Sequence, residues 1–333
     1  MTPDNDSVRW AIMAERKQPV LFIAGTGRSG STLLDRLLGR TPGVFSAGEV
    51  RYIWKNSLVD DHLCGCGNRF SRCELWSSIT ADVLGPDRSM TPQEIIDVKW
   101  SIDRMRFIPS LALDAMTPRQ RLRLQRYRAL LEALYRSIRD QTNCRLIVDS
   151  SKDPSHGFVL ATSPEIDLHV VHLVRDSRAV AHSWTRRKLD PARRRRSAMM
   201  PTEAPARSAM MWNVHNSLSS GLRSTAASYR RVRYEDVVAD PDAVVDEVLA
   251  QCGLSGANGQ ATNGSVELGL QHTISGNPMR FERGPIVVKH DDEWLSAMSA
   301  RDKMVVSVLT TPLLLTYGYP LTVAGAIRQA AGR

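Results

Sequence analysis

No apolar run in this 333-residue chain approaches the roughly 20 residues that a membrane-spanning helix needs. The least polar stretch, Leu309 to Leu321, is broken by prolines, glycine and polar residues, and is expected to belong to the core. The segment from Met1 to Pro19 is polar and lacks the apolar centre of a secretory signal, so the expected location is cytoplasmic. Cysteine is scarce: five in a chain of this length do not make a disulfide scaffold. No internal repeat is present. Acidic residues are outnumbered, 35 against 44 basic ones, which leaves a net charge of +9. That surplus implies an anionic partner, whether nucleic acid, a phosphorylated cofactor or an anionic membrane surface, with plain surface charge as the bland alternative.

The residues that are there, 42% hydrophobic and 24% charged, describe one globular α/β unit, residues 1–333, large enough to bury its own core. Pro19 to Ala24 is a short apolar run closed by glycine, suited to a buried parallel strand. The glycine-rich Gly25–Thr32 follows, and then Leu33 to Leu38 with apolar positions on one helical face. Strand, glycine loop and helix open a phosphate-binding βα unit, here residues 19–50. Arg145 to Asp149 and Leu168 to Val174 are two further strands, and Tyr229 to Tyr234 is a fourth. Each delivers polar residues at its carboxyl end, where open α/β sheets hold their ligands. Residues 51–143 read as a helical insertion, clearest from Pro118 to Asp140, and residues 144–300 as the rest of the sheet. Residues 186–207, rich in arginine and holding three prolines, read as a mobile loop; Gly253 to Ser265 reads as a linker.

The loop Gly25-Thr26-Gly27-Arg28-Ser29-Gly30-Ser31-Thr32 turns successive N–H groups toward phosphate oxygens, and the next helix adds its positive end. Nucleotide hydrolases place lysine directly after the second glycine; here Ser31 stands there and the cation is Arg28, inside the loop. This argues against ATP or GTP hydrolysis. A P-loop kinase or NTPase remains the alternative, because Thr32 can mimic a magnesium-binding hydroxyl. A ligand-free glycine turn is a further one.

GTGRSGSTLL resembles the 5′-phosphosulfate loop of sulfotransferases that use 3′-phosphoadenosine 5′-phosphosulfate (PAPS). His172 to Trp184 resembles the family's 3′-phosphate motif, with Arg175 at a strand end and Ser183 eight residues on. Both can reach one phosphate, by charge-assisted bonding and hydroxyl donation. Arg233 to Asp236 is similar to the family segment whose tyrosine, here Tyr234, lies near the adenine. Ser275 to Phe281 resembles the loop that closes over the nucleotide, with Arg280 as its contact and Asn277 and Arg283 as weaker ones. The resemblance runs from about Pro19 to Trp294 and implies a P-loop-like three-layer fold: a central parallel sheet, helices on both faces and the helical insertion as acceptor lobe. It implies sulfonate transfer from PAPS to an acceptor hydroxyl on a sugar, glycolipid or natural product, in a bacterial enzyme. Gly27, Arg28, Ser29, Gly30, Ser31 and Thr32 would hold the donor with Arg175, Ser183 and Tyr234.

Sulfonate transfer needs a base for the acceptor hydroxyl and cations on the leaving oxygen. Arg28 suits the second role as an electrostatic clamp, being always protonated. The resemblance makes Glu49 the base; a helix-start carboxylate is its bland reading, and His156, His172 and His182 are alternatives. Lys152, at a strand end, is expected to contact sulfonate or acceptor. In-line displacement requires no metal, and none is expected. Cys64, Cys66 and Cys73 leave open a metal with His62 as fourth ligand, a disulfide, or reduced thiols, since C-x-C-x6-C departs from usual zinc spacing. The run Arg193 to Arg196 has no interleaved aromatics, so nucleic acid is not an expected partner, and a membrane surface is the second use of that run. The spacing carries no reading of oligomeric state.

Overall fold

The computed structural model describes residues 17–85, 90–193, 198–254 and 265–331. The N-terminus up to residue 16, Arg194 to Arg196 and most of the Gly253–Ser265 linker lie outside the described residues.

Five strands pair in parallel, the three central ones from the apolar runs. They are β1 (Gln18–Gly25), β2 (Val44–Gly48), β3 (Leu146–Lys152), β4 (Ile166–Val174) and β5 (Ser228–Arg233), in the order β2-β3-β1-β4-β5. All four neighbouring pairs are parallel. Alternate residues of β1 serve opposite faces. Val20, Phe22 and Ala24 pack with Trp54, Trp76, Tyr127 and Tyr135 of the helical lobe. Leu21 and Ile23 pack with Leu34, Val245 and Leu249 on the other side. Two buried faces explain the unbroken apolar runs, each large side chain contributing about 1.5–3 kcal/mol. The chain is therefore an α/β fold with helices on both faces of a parallel sheet.

On the second face lie α1 (Ser31–Leu38) and, later in the chain, Pro241–Gln251. The 51–143 insertion is helical, with α2 (Glu74–Leu84), α3 (Pro92–Trp100) and α4 (Pro118–Thr142). The sequence sets both ends of α4. Thr117 and Gln120 form a capping box ahead of Pro118, and Asn143 closes the helix in the left-handed region. Its buried stripe, Leu124, Tyr127, Leu131, Leu134 and Ile138, recurs every three or four residues. Helix α5 (Pro154–Ala161) follows β3, α6 (Ser177–Thr185) follows β4, and α7 (Pro205–Gly221) precedes β5.

Three details differ from the sequence reading. Strand β2 was not expected; its residues VFSAG are too short and mixed to show a period. Strand β3 runs on through Ser150, Ser151 and Lys152, so these polar residues end the strand and do not follow it. The stretch from Leu309 is half core: Thr310, Leu314, Tyr317 and Tyr319 are buried, while Leu309, Leu315 and Leu321 are exposed. Within 186–207, the described residues on either side pair antiparallel at Leu189 and Met199, and Met200 N donates to Lys188 O at 2.8 Å.

Candidate active site

Strands β1, β3 and β4 end at one edge of the sheet, and a cleft of about 720 Å3 opens there. Of the expected site residues, all but Ser29 and the weaker candidate Arg283 line it, from Gly27 and Arg28 to Asn277 and Arg280. Ser29 is buried, and its hydroxyl donates to Thr26 O at 2.8 Å, which closes the loop's turn.

The loop depends on glycine where contact is closest. Gly30 has φ +90°, and a Cβ there would collide with the Tyr234 ring. Tyr234 in turn carries the Arg175 guanidinium 4.4 Å above its ring centroid. Arg175 also donates to Arg28 O at 3.2 Å, so the two expected phosphate sites share a hydrogen bond. Thr32 Oγ1 accepts from Asn277 N at 3.3 Å, which ties the loop to the later Ser275–Phe281 segment. Arg36, buried on α1, holds that segment too, donating to Met279 O at 2.9 Å and Glu282 O at 2.6 Å.

Two cations of the cleft, Arg28 (φ +68°) and Lys152 (φ +67°), have left-handed backbones, which non-glycine residues rarely adopt. Arg28 lies over the Trp184 ring at 4.7 Å and against Met200 Sδ at 3.4 Å. Burial, then the neighbouring Arg186, lowers its pKa from the ordinary value. Its Nη2 and the Nε of Arg175 are buried without a hydrogen-bond partner among the described residues. Desolvated cationic donors of this kind are costly until an anion meets them, so the pair fits a ligand with anionic oxygens. Asp291 answers part of that demand: Arg175 Nη2 lies 3.2 Å and Arg186 Nη2 2.6 Å from its carboxylate. Ser183 is buried on α6 and lines the cleft.

Glu49 stands at the start of a short helical turn, Val50–Tyr52, but its side chain does not cap it. Its Oε1 accepts instead from Lys152 Nζ, which also donates to Ser150 O at 2.9 Å. Gly48 bridges to Ile274, and Glu49 N donates to Ile274 O at 2.8 Å, so β2 anchors the Ser275–Phe281 segment beside Glu49.

Arg280 takes a more structural position than expected. It is buried, with Nη1 donating to Thr273 O at 2.7 Å and Nη2 to Leu63 O at 2.6 Å. Burial brings its pKa down to about 10. Arg283 donates to Cys66 O at 2.8 Å.

None of the three histidines weighed as a base lines the cleft. His156 lies fully buried behind it, Nε2 3.2 Å from Asp149 and Nδ1 3.6 Å from Asp103. Although burial opposes the charge, those two carboxylates raise its pKa. His172 is locked between Tyr229 Oη at 2.7 Å and Asn216 Oδ1 at 2.8 Å, and burial lowers its pKa to about 4. His182 lies 3.8 Å from Glu293. The histidines that do line the cleft are His62 and His215, with Tyr52, Asn56 and Lys188. Burial lowers both histidines below the ordinary value. His215 carries no local motif; only the packing of α7 brings it here. His62, expected near the cysteines, faces the cleft.

The comparisons agree with this architecture. A sequence model described as "Sulfotransferase family" matches residues 19–257, and the chain belongs to that family. Among solved structures, the sulfotransferase domain of the Synechococcus PCC 7002 olefin synthase is similar at 22% identity, over 92% of this chain and 97% of that one, with a TM-score of 0.51. A sulfotransferase domain from the curacin biosynthetic pathway is similar at 16% identity over 92% and 100%, with a TM-score of 0.48. Sulfotransferase STF1 of Mycobacterium tuberculosis H37Rv follows at 17% over 76% and 72%, with a TM-score of 0.40. At these identities the first likeness bears on the fold alone. No curated protein matches the sequence. Among the described residues, no helix is long and apolar enough to cross a membrane.

Proposed function

We propose that this sulfotransferase takes its sulfonate from PAPS and passes it to an acceptor hydroxyl by in-line displacement, releasing adenosine 3′,5′-bisphosphate. The observation that carries the reading is a pair of guanidinium groups lining one cleft, Arg28 and Arg175, each with a buried nitrogen that lacks a hydrogen-bond partner among the described residues. A donor with phosphate groups at its 5′ and 3′ positions answers both.

Each residue then has a task. The backbone of Gly27 to Thr32 and the start of α1 hold the 5′ end. Arg175 and Ser183 hold the 3′-phosphate, with Tyr234 packed beneath the arginine, and Asn277 and Arg280 form the closing segment. Glu49 accepts the acceptor's hydroxyl proton as the new O–S bond forms. The bond from sulfur to the bridging phosphate oxygen breaks, and Arg28 neutralises the charge that develops there. Lys152 holds the Glu49 carboxylate in place and meets the sulfonate oxygens in flight. The chemistry itself asks for no metal. The acceptor approaches from the helical lobe, and a sugar, a glycolipid or a natural-product hydroxyl all suit it. The soluble cytoplasm is the setting we assign.

Radiolabelled PAPS tests the reading. With an extract of the source cells, label should move to an acid-stable ester and adenosine 3′,5′-bisphosphate should accumulate in equal amount. Purified protein that neither binds nor consumes PAPS refutes it.

A further inference from the structure

None of the five cysteines lines the cleft, and three of them come together. Cys64 Sγ, Cys66 Sγ, Cys73 Sγ and one ring nitrogen of His272 all lie within 4.8 Å of one another. Cys64 and Cys73 are buried; Cys66 and His272 are half-buried. All three thiols are free.

The distances match one ion. With Zn–S of about 2.3 Å and Zn–N of about 2.0–2.1 Å, a tetrahedron puts sulfur and nitrogen about 3.6 Å apart. His272 Nδ1 lies 3.2 Å from Cys73 Sγ and 3.8 Å from Cys64 Sγ, on either side of that value.

The surroundings are built for these four side chains. Cys64 opens a tight turn, with Gly67 N donating to Cys64 O at 2.8 Å and Cys64 N to Asn68 O at 2.8 Å. Gly65 must be glycine, because a Cβ there would collide with Thr273 Oγ1 and Gln271 O, the neighbours of His272. Gly65 N donates to Thr273 O at 2.8 Å, and Trp76 Nε1 to His272 O at 2.5 Å. Those bonds set the imidazole over the sulfurs. Cys73 precedes α2, whose eleven residues place a positive end beside its sulfur. Arg72 and Glu74 share the small hollow over Cys66, Cys73 and His272.

The geometry points to a structural zinc site of three thiolates and one imidazole, closed by Cys64, Cys66, Cys73 and His272. A set of three soft sulfurs and one imidazole selects zinc over magnesium, calcium or manganese. It joins segments about 200 residues apart in the chain. It also stands directly behind the cleft: Leu63 precedes Cys64 and Thr273 follows His272, and the carbonyls of these two neighbours hold Arg280. The ion therefore staples the Ser275–Phe281 segment to the helical lobe. It takes no part in sulfonate transfer.

Metal analysis of the full chain, purified without chelators or a metal-affinity step, tests this independently of turnover. One zinc per chain is expected, with the d–d bands of tetrahedral cobalt(II)–thiolate after exchange. His272→Ala and Cys73→Ser should lose the ion, while Cys144→Ser and Cys252→Ser should keep it. A chain that carries no zinc and takes none from a zinc buffer overturns the site. So does a native disulfide among Cys64, Cys66 and Cys73 in intact mass, or full zinc retained by His272→Ala. Stripping the zinc should also weaken binding of adenosine 3′,5′-bisphosphate. That readout rests on the proposed donor, whereas the zinc content does not.

Discussion

Glu49→Gln is the sharpest perturbation of the chemistry. Lys152 Nζ donates to Glu49 Oε1 and to Ser150 O. A glutamine amide oxygen keeps the acceptor that Lys152 uses, so the geometry of the pair survives. What vanishes is the carboxylate's capacity to take a proton. General-base catalysis is worth about 100- to 10,000-fold, and kcat should fall by that factor. The barrier rises by about 3–5 kcal/mol. The proposed contacts to the bisphosphate come from the glycine loop, Arg175 and Ser183 and not from Glu49, so affinity for adenosine 3′,5′-bisphosphate should change by no more than about twofold. Transfer from labelled PAPS, followed in single turnover, measures the first quantity, and titration calorimetry the second. Full kcat in the glutamine variant would refute the assignment and pass the base role to His215 or His62, which line the same cleft.

The two arginines should fail differently. Arg175→Ala should weaken bisphosphate binding about 10- to 100-fold, the loss of charge-assisted hydrogen bonds, with kcat little changed at saturating donor. Arg28→Ala should lower kcat about 100- to 1,000-fold, as removal of an oxyanion donor does, and unchanged turnover would take it out of the mechanism. His156→Gln should lower the melting temperature, because it breaks the buried contacts to Asp103 and Asp149, yet leave the shape of the pH–rate profile intact. Asp35 gives a pH test. Burial raises its pKa to about 7, although Ser46 and Ser150 donate to it. A carboxyl whose folded pKa lies above its unfolded one contributes stability that is full below the unfolded value near 3.8 and lost as pH rises through about 7. Asp35→Asn should therefore gain melting temperature over the wild type at pH 8 and gain little at pH 4.

Much of this was legible in the sequence, for a local reason. Strands buried on both faces leave unbroken apolar runs, so β1, β3 and β4 showed themselves, while the edge strand β5, SYRRVR, was the fainter one, and the glycine loop announced its own turn. The cleft residues on those strand ends came with them. What stayed hidden was non-local. Strand β2 exists because it pairs with β3, not because VFSAG favours extension. The contact of Glu49 with Lys152 spans 103 residues, and nothing near either side chain predicts it. The cysteines misled in the same way. His62 is close to them in sequence and was the natural fourth ligand to weigh, but His272, 208 residues from Cys64, is the one the fold delivers. The helical lobe was visible as helices, but helical periodicity reports burial and not the acceptor it recognises.

A cleft built as proposed suits a nucleotide carrying phosphates at both its 5′ and 3′ positions. Calorimetric titration with adenosine 3′,5′-bisphosphate, adenosine 5′-monophosphate and Mg-ATP tests it most directly. The bisphosphate should bind most tightly, losing the 3′-phosphate should weaken binding, and Arg175→Ala should abolish the difference between the two. Tightest binding of Mg-ATP, or equal affinity for the mono- and bisphosphate in the wild type, would contradict it.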